Sequence, residues 1–500
     1  MGASGWRDAA CESARNLSMI LKRFNALEGL TTEEVRLLVA LGPGSFVLAS
    51  TIGTINVGLP AVQDEFDISL SALKWVSIMG SIMMASMSLC FGRLGDILGR
   101  KRIYKLGILF YAVFSGLAGI SFSFESLMFF RVFTALGVAM SLPLGIAIAA
   151  GGARPERRGQ VIGLLASFTA AGMLAGPSLG GFALDIAGWR GIFFANLGLA
   201  GVCFLLQQVL LKGYDERRNQ PFDFPGAVLL LMSYPAVLVG LSLGPGEGWT
   251  APVTIAAFAF GGIGLLVFAA WELKYPQPLF RFKFFRSLSF CVAMFTLVIA
   301  SFVQQPMALF TPIYLQRVLD VTPITVGFLM MALPISTFIA GPIGGRLSDR
   351  NDPRVIAAAG MFITFLSVLA YSQLGTTTPV LFILVPLVLL GIGGGLFRPA
   401  NQVAVFAGVT AAEYGSLSGM LQSMGALAGT LGTTITVAIS DARSTSSTDS
   451  VAFAEAQAFT FTALLPLLFI SVFVSLIGRS PRPKPEPVTA TAEPSASPGG

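Results

Sequence analysis

The chain reads as an all-α polytopic membrane protein, and three observations predict this. Of its 500 residues, 54% are hydrophobic and only 12% charged, against about 25% charged in a typical soluble domain. Uncharged runs close to the ~20 residues needed to cross ~30 Å of hydrocarbon recur along the whole length. Those runs lack the polar–apolar alternation of barrel strands, so within lipid, where backbone groups need internal partners, they form helices.

A charged leader occupies residues 1–36. Spans are then expected at 37–60, 75–91, 106–123, 126–150, 159–184, 191–211, 224–243, 251–271, 287–312, 324–345, 355–373, 380–402, 415–440 and 458–477. The run from Val355 to Phe397 is too long for one crossing, and GTTTP at 375–379 supplies the turn that splits it. Fourteen crossings put both termini on one side. That side holds 26 of the 32 lysines and arginines. The other holds four (Lys74, Arg190, Arg317, Arg443), and Arg131 and Arg398 lie inside spans. An excess of this size marks the cytoplasmic face, so a cell-membrane protein (inner or plasma membrane) with both termini in the cytoplasm is expected. The end, 479–500, is low-complexity and is expected to be a disordered tail.

Topology also accounts for the net charge of +6, so no nucleic-acid partner is implied. The chain has no histidine, which removes the usual proton relay and metal ligand. Its four cysteines (Cys11, Cys90, Cys203, Cys291) are far apart and suit packing better than disulfides or metal. HExxH, G-x-S-x-G and phosphate-loop patterns are absent. The expectation is no enzyme, no cofactor and no metal, with any drive coming from an ion or solute gradient.

Residues 92–96, GRLGD, end one apolar run, and GRLSD at 345–349 ends another eight spans later. Parallel six-helix halves (37–211 and 287–478) with two helices inserted between them (212–286) account for that offset. The first copy continues into Gly99, Arg100, Lys101 and Arg102 and is read as a cytoplasmic loop between spans two and three. Its glycines (Gly92, Gly99) let helix ends approach. Asp96 is expected to pair with Arg100 or a neighbouring helix end and hold one conformation until that pair breaks, with Arg93, Gly345 and Asp349 completing the gating set. Arg131 opens RVFTALG in span four, and an intramembrane arginine is costly enough to suggest function. Span five carries GMLAGPSLGG, in which Gly172, Gly176, Gly180 and Gly181 offer a close-packing face and Pro177 permits a bend.

With these motifs on the page, the chain resembles the major facilitator superfamily. The loop resembles that family's cytoplasmic signature, RVFTALG its R-x-x-Q-G-x-G motif, and GMLAGPSLGG its antiporter signature. WRGIFFAN (189–196) and WELKYPQPLFRFKFF (271–285) are similar to the fourteen-helix drug:proton antiporter branch. The resemblance implies two six-helix bundles about a central cavity, rocking between two access states. It also implies export of amphipathic drugs or metabolites against proton entry.

The sequence departs from that pattern in one place that bears on mechanism. Where the branch has an acid before N-V-x-L-P, span one reads LASTIGTINVGLP: Asn56 is kept, but Thr51 stands near the acid's position. Glu272 and Asp185 sit at span ends, and Asp64, Asp67 and Glu125 in loops, so no carboxylate is expected in mid-membrane. Polar groups do occur there: Gln304 and Gln305 interrupt span nine beside Pro306, and Arg398, Asn401 and Gln402 lie in span twelve. Arginines and amides without an acid suit an anionic or zwitterionic solute better than a lipophilic cation. Two alternatives to proton-driven drug export therefore stand: an exporter or facilitator of such a solute without antiport, and a non-transporting membrane sensor. In every case the expected surroundings are a small-molecule substrate, protons where coupling occurs, and lipid, with the protein acting as a monomer.

Overall fold

The computed structural model describes residues 29–68, 70–211, 221–280, 282–407, 409–443 and 450–477. The tail at 479–500, most of the leader and the side chain of Asn56 lie outside the described residues. All regular structure among the described residues is helical. In chain order the helices are α1 (Thr32–Phe66), α2 (Leu70–Leu98), α3 (Arg100–Gly119), α4 (Phe124–Gly152), α5 (Arg158–Leu210), α6 (Phe224–Glu247), α7 (Pro252–Glu272), α8 (Leu288–Arg317), α9 (Pro323–Met330), α10 (Ala332–Arg350), α11 (Pro353–Ser372), α12 (Leu384–Ala407), α13 (Tyr414–Arg443) and α14 (Ser450–Leu476). Eleven stretches among the described residues are long and apolar enough to cross a membrane.

Local chemistry sets the element ends. Thr31 and Glu34 form a reciprocal capping box that starts α1, and Ser123 caps α4. Asp352 caps α11, which has Pro353 in its first turn. In α5, Ala187 and Gly188 leave the helical region, Gly188 at φ 64°, a left-handed conformation that glycine adopts without steric cost. The chain folds back there. Gly42 of α1 lies against Phe168 and Gly44 against Gln207, while further along α1 Gly53 lies against Pro177 and Gly58 against Ile192. Both arms of α5 thus run beside α1 in opposite directions. The return is tied by Trp189 Nε1 and Arg190, which donate to the Glu65 carboxylate at 2.6 and 2.7 Å. Those two donors hold the Glu65 carboxyl below the usual carboxylate range.

One expectation fails at the opening motif. Residues 92–98 are not a loop, because α2 continues to Leu98 and α3 begins at Arg100. A single residue, Gly99 at φ 105°, makes the whole reversal, leaving no room for a longer connection. Nor do Gln304–Pro306 interrupt the eighth helix. α8 runs through both Pro306 and Pro312, as membrane helices can when neighbours satisfy the freed carbonyls.

Helix contacts fall into two sets, α1–α5 and α8–α14. The sets meet along two seams, α5 with α10 and α2 with α13, and α6–α7 packs against the second of these. The end where α2 meets α3 and α12 meets α13 carries Arg93, Arg100, Arg158 and Lys283 and is called the basic end below.

The antiporter-type stretch is a packing face for α1. A Cβ on Gly172 would sit 2.1 Å from the Phe46 carbonyl oxygen, one on Gly176 2.7 Å from that of Ser50, and one on Gly180 2.7 Å from that of Thr54. Gly181 has nothing within 4 Å. Backbone-to-backbone contact of this kind has no give. We therefore expect Gly172→Val to destabilise the fold by about 1–3 kcal/mol, lowering the melting midpoint in detergent. Gly181→Val should leave that midpoint unchanged; equal melting of the two variants would contradict the packing account.

Candidate functional site

The two copies of the repeated motif do the same thing to opposite halves. The first turns of α5 and α13 leave unsatisfied N–H groups, as every helix start does, and the α5 N-cap, Arg157, supplies no side-chain acceptor. A carboxylate from the other set supplies it. Asp96 at the end of α2 accepts from Gly415 N at 2.9 Å, Ser416 N at 2.7 Å and Ser416 Oγ at 2.6 Å. Asp349 at the end of α10 accepts from Gly159 N and Gln160 N, both at 2.7 Å. Each is a charge placed where the helix dipole favours an anion.

Glycines make the reach possible. A Cβ on Gly92 would sit 2.3 Å from the Gly415 carbonyl oxygen, and one on Gly419 2.3 Å from that of Ser88. Across the other seam, a Cβ on Gly345 would sit 2.1 Å from the Gly159 oxygen, and one on Gly163 2.3 Å from the Gly341 oxygen. Four glycines on the receiving helices (Gly159, Gly163, Gly415, Gly419) are thus as necessary as those of the motif itself. Sequence reading missed them, although their signal, Gly-x-x-x-Gly at the start of spans five and thirteen, is visible once the motif's partner is sought.

The copies are not identical. Asp96 also takes Arg100 Nε at 2.9 Å, so the expected intrahelical pair and the expected helix-end contact coexist. Arg100 goes on to the Ala411 carbonyl, and both Arg100 and Arg158 lie over the Tyr414 ring, 5.6 and 5.4 Å from its centre. Tyr414 thereby gathers cations from two helices of the first set. Arg93, expected in the gating set, is 1% exposed and donates to Gln277 Oε1 at 3.0 Å. It therefore binds the segment after α7, inside WELKYPQPLFRFKFF. Lys283 of that segment pairs with Glu413 at 2.6 Å.

The mid-span candidates separate into two clusters. Thr51, near the position where the related branch has its acid, bonds the Tyr111 hydroxyl at 2.6 Å. Arg131 lies within electrostatic reach of that hydroxyl and is buried; a Cβ on Gly80 would meet its guanidinium at 3.7 Å. In the other set, Arg398 is exposed and donates to Gln304 Oε1 at 2.7 Å. Gln305 is exposed and lies against Gly429. Asn401 is buried, with Thr296 Oγ1 at 3.5 Å, and Gln402 is half-buried. The described residues contain no group of three or more Cys, Asp or Glu placed to hold a metal ion.

Comparison with known proteins agrees with this architecture. The model of the Major Facilitator Superfamily matches residues 41–433 and 306–497. The chain is 27% identical over 397 residues to the riboflavin transporter RibZ of Clostridioides difficile, covering 79% of this chain and 86% of that one. It is 29% identical over 400 residues to the multidrug resistance protein Stp of Mycobacterium tuberculosis, covering 79% and 74%. It is 27% identical over 401 residues to the tetracenomycin C resistance and export protein of Streptomyces glaucescens, covering 80% and 74%. The crystal structure of the human organic anion transporter MFSD10 (TETRAN) superposes with a TM-score of 0.58 at 16% identity, over 89% of this chain and 97% of that one. On the extent of the family match and the helical architecture that accompanies it, this chain belongs to the Major Facilitator Superfamily of multi-pass membrane transporters.

Proposed function

We propose that the protein is a secondary active exporter of small amphipathic drugs or metabolites, working by alternating access and driven by proton entry. Fourteen crossings fit the architecture: the eleven long apolar stretches, α2, α3 and the second arm of α5. That count makes residues 37–211 and 287–478 the two bundles, with 212–286 as the insert, and puts the basic end and both termini in the cytoplasm. A monomer in lipid is sufficient for this mechanism. The relatives named for multidrug resistance and tetracenomycin export favour the export direction.

The carrying observation is the pair of caps made between the two sets. Asp96 on α13 and Asp349 on α5 close the basic end by contacts that rocking of the bundles would break. Charge-assisted hydrogen bonds of this type are worth about 1–3 kcal/mol each, enough to bias two access states without locking either. Gly92, Gly99, Arg100 and Gly345 serve the same closure. Asp96→Asn and Asp349→Asn should each shift the population toward an open basic end by roughly 5- to 150-fold. Spin-label distances across that end would record the shift. If neither variant changes the distance distribution, the caps are not the latch.

A second reading, transport of an anionic or zwitterionic solute, is favoured by one observation. Arg398 is an exposed residue whose guanidinium donates to Gln304, on a helix flanked by α8, α10 and α11, so we read its surroundings as a polar interior path that includes Gln305 and Gln402. On this reading Arg398→Ala lowers uptake of carboxylate-bearing substrates into inverted vesicles by roughly tenfold or more, the loss of one charge-assisted contact. Transport of cationic dyes should be spared. The reverse pattern would exclude the anionic-solute reading and leave drug export.

A further inference from the structure

The inserted hairpin holds two buried acids at its base that the transport cycle described above does not use. Asp223, 0% exposed, caps α6, and Glu272, 2% exposed, ends α7. Both aim at Gly226: a Cβ built there would sit 2.5 Å from Asp223 Oδ2 and 2.9 Å from Glu272 Oε1. The two carboxyls therefore share one small space out of water.

Their surroundings differ. Asp223 accepts from Gly226 N at 2.9 Å and from Trp271 Nε1 at 3.0 Å and stands at a helix N-terminus, where a negative charge is favoured. Glu272 stands at a helix C-terminus, where it is not. One of its oxygens, Oε2, accepts from Phe280 N at 3.1 Å. The other, Oε1, is buried and receives no donor among the described residues. A buried acceptor facing a second acceptor is satisfied when a proton lies between them.

We propose that Glu272 and Asp223 hold one proton between them, on Glu272 Oε1 and donated toward Asp223 Oδ2, and that this proton keeps the α6–α7 hairpin seated on α2. Release gives two carboxylates and one proton passed to water at the basic end; the repulsion of two buried charges in one small space then loosens the hairpin. The groups facing the pair from α2 are the buried Cys90 thiol, within electrostatic reach of both carboxyls, and Arg93, held at Gln277. Lys283, in the turn after α7, is engaged with Glu413. The pair sits at the ends of α6 and α7, whereas Gln304 and Arg398 sit on α8 and α12, so the proposal does not depend on which solute is carried.

Infrared difference spectra of the full chain in liposomes, taken between acidic and alkaline pH, test the proton. Wild type should lose a protonated-carboxyl band that is missing from Glu272→Gln and from Asp223→Asn, both of which replace the shared proton by an amide donor and keep the fold. If subtracting the Glu272→Gln spectrum from wild type leaves no such band, the shared proton is overturned. Seating is read by maleimide labelling of Cys90 with the other three cysteines changed to alanine. Relative to the Glu272→Gln variant, which reports the thiol's own pH response, wild-type labelling should rise at alkaline pH by roughly tenfold. Parallel pH curves for the two would overturn the link between the proton and the hairpin.

Discussion

A helix start that cannot cap itself, and must borrow a carboxylate from the far side of the molecule, is the constraint on which the rest of this structure depends. Backbone N–H groups at the head of α5 and α13 need acceptors. The acceptors arrive on α10 and α2, from the other set of helices. Hydrogen bonds of 2.6–2.9 Å to a short aspartate require the two backbones to touch, and only glycine permits that. The glycines of the motif and those of the receiving helices are thus one requirement seen from two sides. Because each contact is backbone against backbone, it is either made or absent, and small displacements give a two-state element rather than a graded one.

The two seams are equal in design but not in company. The α5–α10 seam is closed by Asp349 and its glycines, with Arg157 and Arg158 near the carboxylate. The α2–α13 seam carries more. Arg100 joins Asp96, Ala411 and Tyr414, and the inserted hairpin packs along the seam through Tyr234, whose hydroxyl donates to the Ser423 carbonyl at 2.6 Å. Arg93, one helical turn before Asp96, is occupied by that hairpin's base. The α6–α7 hairpin thus packs on one of the two related seams, and the symmetry of the motif does not extend to its surroundings.

Much of this was legible before any coordinates. Long uncharged runs mark the helices, and GRLGD with its copy GRLSD located both capping carboxylates, since position after a span says which end a residue occupies. What failed has a common cause: hydropathy sums over a helix and discards direction. Arg131 and Arg398 look alike in sequence, yet one is buried beside Tyr111 and the other is exposed beside Gln304. Gly172 and Gly181 belong to one motif, but only Gly172 faces α1. Arg93 sits inside the signature and points to a segment some 180 residues away. Residues 92–98 read as loop because charge suggests exposure, whereas a single positive-φ glycine turns the chain and leaves the charges on helix ends.

Charge placement finally narrows where a proton could act. Among the described residues every buried carboxylate (Glu34, Asp96, Asp223, Glu272 and Glu413) lies at the basic end. Thr51, near the place the related branch gives to an acid, is satisfied by the Tyr111 hydroxyl, and neutral hydroxyls do not change charge near neutral pH. Arginine does not exchange its proton in that range either. The described centre therefore has polarity to bind a solute but no group that titrates on the way. A proton that drives this protein has to be taken up where the acids are, among the helix caps and the hairpin base. At the caps the acids join the two sets of helices, so a proton taken up there would compete with those contacts rather than with substrate.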